Sequence, residues 1–155
     1  MNKALNKWAV EILFIFFTAT LAFLVVLPII NNSIDFPFFT YNVIYAFVGL
    51  TVLRYLVLWE WHPMANNRWF KIGIIFIVPL VFFPLMEGIH SFVEFNDQVG
   101  IQSILSHLSY EEAQFYRGYI RSEYLFFGIA SFLGALCMIL KMMRSLWRQY
   151  KYGHE

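Results

Sequence analysis

From Trp8 to Ile30 the chain carries only three polar side chains, Glu11, Thr18 and Thr20. A helix needs about 20 apolar residues to cross a bilayer core of about 30 Å, and this run supplies them. It is longer than the h-region of a signal peptide and lacks an Ala-x-Ala cleavage pattern, so a retained span is expected. Three more apolar stretches follow, and the spacing predicts spans at about 8–30, 41–61, 69–90 and 121–143. Aromatic residues gather at the ends of the second: Phe38, Phe39 and Tyr41 at one, Trp59 and Trp61 at the other. Such belts mark headgroup depth. Pro79 and Pro84 interrupt the hydrogen-bond ladder of the third stretch, where a kink is expected.

Composition agrees with lipid as the solvent. The chain is 60% hydrophobic and 14% charged, against about 25% charged residues in an ordinary soluble domain. A domain of 155 residues has too little interior to hide that much apolar surface. The expected fold class is all-α: a four-helix transmembrane bundle forming one integral membrane domain over residues 1–155.

Between the third and fourth spans, Ile101, Ile104, Leu105 and Leu108 recur at helical spacing. An amphipathic outer segment is therefore expected over about 96–119, lying on the membrane or against the bundle. Within it, Ser109-Tyr110-Glu111-Glu112 has the pattern of a capping box, which predicts a helix start at Tyr110. No proline follows. The fourth helix should run unbroken to about Tyr150 and project beyond the apolar layer at both ends.

Basic residues set the expected topology. Lys3 and Lys7, then Arg68 and Lys71, then Lys141, Arg144, Arg148 and Lys151 fall on one side; Arg117 and Arg121 fall on the other. Lysine and arginine stay cytoplasmic, so both termini are expected inside, in a bacterial inner membrane. The outer side is acidic, with Asp35, Glu87, Glu94, Asp97, Glu111, Glu112 and Glu123 there or at its edge.

Two constellations carry chemistry. Glu87, His90 and Glu94 are spaced three and then four apart, which puts them on one helix face, and Glu123 opens the fourth span at the same depth. Glu-x-x-His pairs with glutamates from neighbouring helices hold metals in bundles, and this donor set suits iron, manganese or zinc. The chain has one such motif where a di-metal bundle has two. A structural polar belt, with Glu87 and Glu94 paired to Arg117 or Arg121, is the competing expectation and the favoured one. The second constellation is Glu11 with Arg54, at matching depth on the first two spans. An ion pair between them would lower the cost of burying either charge, and a structural pair is favoured over a proton or ion path.

Ala130 and Gly134, and Ser131 and Ala135, give the fourth helix small residues four apart, suited to close helix packing. The basic, aromatic C-terminal end suits anionic lipid or a cytoplasmic partner, although positive-inside anchoring explains it as well. The lone Cys137 allows no intrachain disulfide. No phosphate loop, nucleophile elbow, dinucleotide fingerprint or nucleic-acid module is present, and no nucleic-acid partner is expected.

The expected function is that of a non-enzymatic membrane protein, an accessory or scaffold subunit of a larger assembly, with the bilayer and a protein partner or second copy as its neighbours. A membrane metal-binding protein or metalloenzyme using the outer Glu/His cluster is the alternative. A small transporter or channel subunit is a further one.

Overall fold

The computed structural model describes residues 3–153, with side chains from Lys7 onward. Lys3, counted among the inner basic residues, has its side chain outside the described residues. Four long helices make up the fold: α1 (Lys3–Asn31), α2 (Phe39–Leu58), α3 (Arg68–Gln98) and α4 (Tyr110–Tyr152). Each contains a segment long and apolar enough to cross a membrane. Two short 3-10 turns, Trp59–Trp61 and Ile101–Leu105, complete the described secondary structure.

Local chemistry fixes the helix ends. The Asn67 side chain accepts hydrogen bonds from the backbone N–H groups of Trp69 and Phe70, capping α3. The Ser109 side chain accepts from the Glu112 N–H, while the Glu112 carboxylate accepts from the Ser109 N–H. Two orphan donors are thus satisfied reciprocally, and α4 runs without a break from Tyr110. The Ser109 hydrogen bonds hold the Glu112 carboxyl below its ordinary range, against a small opposing effect of desolvation. At 43 residues, α4 is about 65 Å long and exceeds the apolar layer by a wide margin.

α3 is longer than its apolar run, continuing through Glu94 to Gln98 with Pro79 and Pro84 inside it. Backbone bonding continues where the side chains become polar. It ends at Gly100, whose φ of 80° needs no Cβ accommodation and whose N–H reaches the Phe95 carbonyl at 3.0 Å.

In space α1 lies beside α2, α2 beside α4, and α4 beside α3, so α2 and α4 form the centre. The buried face of α2 is Asn42, Tyr45, Ala46 and Gly49, a spacing of three, four and seven. The small residues of α4 are used within the chain. Ser131 Oγ donates to the Tyr45 carbonyl at 3.0 Å, and a Cβ added at Gly134 would lie 2.9 Å from Val52 Cγ1. Close backbone approach of this kind supports helix association where no water is present to drive it.

The largest core sits at the end of the bundle holding the α1–α2 and α3–α4 connections. There Tyr45, Phe36, Phe92 and Tyr124 pack with Ile101 and Leu105 of the second 3-10 turn. The amphipathic segment therefore folds against the bundle. Phe36 and Tyr124 meet edge to face at 5.8 Å, and Tyr45 and Tyr124 at 5.1 Å. Each such pair contributes about 0.5–1.5 kcal/mol beyond burial. Elsewhere the helices turn large apolar groups outward: Phe16 is 75% exposed and Phe83 78%. A water-soluble monomer rarely carries so continuous an apolar surface.

Candidate functional site

At the end of the bundle that holds the α3–α4 connection, α3 buries Leu85, Gly88 and Phe92. Gly88 is needed there, since a Cβ would lie 2.6 Å from Tyr41 Cδ1. Tyr45 and Tyr124 donate their hydroxyls to the Leu85 and Gly88 carbonyls at 2.5 and 2.9 Å, locking α3 to α2 and α4. Once this face is committed to the core, Glu87, His90 and Glu94 lie about 130–170° round the helix from its centre, at 100° per residue. All three are exposed. Glu94 accepts a hydrogen bond from Gln98 at 2.9 Å.

Glu123 points elsewhere. It is buried between α4 and α2, where its Oε2 accepts from Asn42 Nδ2 at 2.8 Å. Glu123 therefore does not join Glu87, His90 and Glu94. Among the described residues no three histidine, cysteine or carboxylate side chains are grouped to hold a metal. The four residues expected to hold iron, manganese or zinc therefore do not converge. The helix face that carries three of them by spacing is not the face that packs. The ion pairs expected of the competing belt are not formed among the described residues either. Among the described residues the one ion pair is that of Arg54 and Glu11, so Arg117 and Arg121 form none with Glu87 or Glu94.

Glu123 Oε1 has no hydrogen-bond partner among the described residues, and Glu123 lines a groove of about 880 Å³ with Tyr119, Ser122 and Phe126. The groove is mainly apolar and opens to the side of the bundle. Above it, Tyr119 donates to the Val25 carbonyl and Asn32 Nδ2 donates to the Tyr116 hydroxyl at 2.7 Å, tying α4 to the end of α1. His107 Nε2 lies 3.1 Å from the Asn32 carbonyl oxygen, which occupies the other histidine of this end.

Toward the opposite end, Arg54 Nη2 lies 2.5 Å from Glu11 Oε1, and the Tyr55 hydroxyl donates to the same oxygen at 2.7 Å. The guanidinium also stands over the Tyr55 ring at 4.5 Å and the Phe14 ring at 5.4 Å. Two charges thus leave the apolar layer as one neutral, partly stacked unit. Below it the rings of His62, Trp59 and Phe70 lie almost parallel in a triangle, with centroids 5.3 Å (His62–Trp59), 5.2 Å (His62–Phe70) and 6.1 Å (Trp59–Phe70) apart. Burial lowers the His62 pKa from 6.5, Glu11 opposing and Arg54 adding to the shift. Its Nδ1 accepts the Met64 N–H at 3.1 Å, which requires that nitrogen unprotonated.

Sequence reasoning missed Asn42, the tyrosine pair and the burial of Lys71, which is 2% exposed. The first two had a signal. Asn42, Tyr45 and Gly49 recur at helical spacing in an apolar stretch, as do Ile120, Tyr124, Gly128 and Ser131 on α4. Lys71 had none, because it reads as one more basic residue at the inner boundary. No family model matches this chain, and no curated protein or solved structure is detectably similar to it.

Proposed function

We propose that the chain is an integral membrane protein with both termini on the cytoplasmic side of a bacterial inner membrane, acting as a non-enzymatic accessory or scaffold subunit of a larger assembly. The observation that carries this reading is the use made of its intramembrane polar groups. Glu11 is tied to Arg54 and Tyr55, Asn42 to Glu123, and Ser131 to the Tyr45 carbonyl. Polar side chains inside an apolar layer mark either a path or a joint between helices. Here each of these bonds joins α2 to a neighbouring helix. The exposed apolar faces of α1 and α3 then supply surface for lipid and for a partner span.

The test is isolation from native membranes at native expression level, with mass measured on the intact complex. The expected result is a partner, or a second copy, at fixed stoichiometry. A monomer carrying stoichiometric metal by elemental analysis, lost in Glu87→Gln with His90→Ala, would overturn the scaffold reading in favour of the metal one.

A further inference from the structure

A second pocket, of about 510 Å³, opens at the inner end of the bundle between the Trp59–Trp61 turn, the start of α3 and the end of α4. Its lining includes Lys71, Lys141 and Arg148, against one acidic side chain, Glu60. None of these four forms an ion pair with a described residue.

Lys71 is unlike a positive-inside anchor. An anchoring lysine extends its ammonium to water and headgroups, whereas Lys71 is 2% exposed. Its Nζ donates to Ser145 Oγ at 2.8 Å, a neutral hydroxyl that leaves the charge uncompensated. Lys141 Nζ donates to the Leu56 and Tyr55 carbonyls, at 2.6 and 3.3 Å, closing the end of α2. Trp59 is 4% exposed, lines the same pocket, and its Nε1–H is buried with no acceptor among the described residues.

These groups share one chemical demand. Ammonium, guanidinium and indole N–H are donors with no acceptor capacity. A buried ammonium without a counter-charge and a buried N–H without an acceptor are both costly, and one ligand relieves both: an anion with several oxygens. Arg148 on the open side offers the planar fork that suits phosphate. The pocket lies at the end of the apolar surface, within reach of a lipid headgroup and of soluble anions.

We propose that this pocket binds a phosphate group, either the headgroup phosphate of an anionic lipid or a soluble phosphate. The inference concerns a ligand and is independent of the assembly proposed above.

The experiment uses the full chain, delipidated in an uncharged detergent and phosphate-free buffer, with thermal stability as the readout. The probes are phosphatidylglycerol, diacylglycerol with the same acyl chains, and inorganic phosphate. The expected result is saturable stabilisation by phosphatidylglycerol, by phosphate or by both, and none by diacylglycerol. The pattern identifies the source: lipid alone acts if the acyl chains are needed, and phosphate acts by itself if they are not. Lys71→Gln and Arg148→Gln should each weaken the response at least tenfold, while Lys151→Gln, equally basic and outside the pocket lining, should leave it unchanged. If Lys71→Gln does not fold, Arg148→Gln and Trp59→Phe carry the same comparison. Equal stabilisation by diacylglycerol, no saturable response to either phosphate probe, or an equal loss in Lys151→Gln would overturn the proposal.

Discussion

Arg54 lies four residues, about 6 Å of helix rise, before the end of α2, but its side chain is only 9% exposed, too little for its charge to be left unmatched. The Glu11 carboxylate and two aromatic rings answer it. Arg54 Nε and Nη1 are buried without hydrogen-bond partners, so its match with Glu11 is made through one nitrogen. Removing one member of a buried pair costs about 3–5 kcal/mol, because the survivor is left charged and unmatched. Replacing both with apolar groups is often neutral. Arg54→Leu and Glu11→Leu should each therefore lower the detergent melting temperature more than the double variant does. Additive losses would mean the two charges act separately.

At the scale of the helices, much was legible and the omissions have physical causes. Hydropathy alone locates four apolar helices, because a run of about 20 apolar residues has few other uses. Ser109 and Glu112 announce the start of α4, a local bond pattern that tertiary structure does not disturb. The Glu11–Arg54 juxtaposition follows from equal depth on consecutive antiparallel helices. The outer cluster failed for a different reason. Spacing says which residues share a face, and Glu87, His90 and Glu94 do share one; it does not say which face packs. That choice falls to Gly88, where only a missing side chain lets Tyr41 and Tyr45 reach α3. Gly88→Leu should consequently separate α3 from α2 and cost about 1–3 kcal/mol or more through overpacking. Glu87→Gln, on the exposed face, should change stability by no more than about 0.5 kcal/mol. Thermal melts of the two variants side by side check the assignment, and equal losses would contradict the packing described for α3.

For the whole molecule, the antiparallel order of the helices sorts charge between two ends. One end gathers Lys7, Arg68, Lys71, Arg144, Arg148 and Lys151, and bonds cross it: Lys7 Nζ donates to the Glu60 carbonyl at 3.4 Å and Gln149 Nε2 to the Asn66 carbonyl at 3.3 Å. The other end has Arg117 and Arg121 beside Asp35, Glu87, Glu94, Asp97, Glu111 and Glu112. In the proposed topology, retention of lysine and arginine on the cytoplasmic side would orient the bundle without reference to any contact within it. Asn66 in the α2–α3 connection and Asp97 in the last turn of α3 are exposed at opposite ends, which makes them reporters of that orientation. In a Cys137→Ser background, Asp97→Cys should react with a membrane-impermeant maleimide in intact cells, and Asn66→Cys only after the membrane is opened. The reverse pattern would leave the helix packing untouched but invert the molecule. Lys71 and its pocket would then face away from the cytoplasm, where the headgroups and soluble phosphates available to it differ. Orientation and ligand are therefore separate measurements, and the labelling experiment determines on which side of the membrane the phosphate has to be sought.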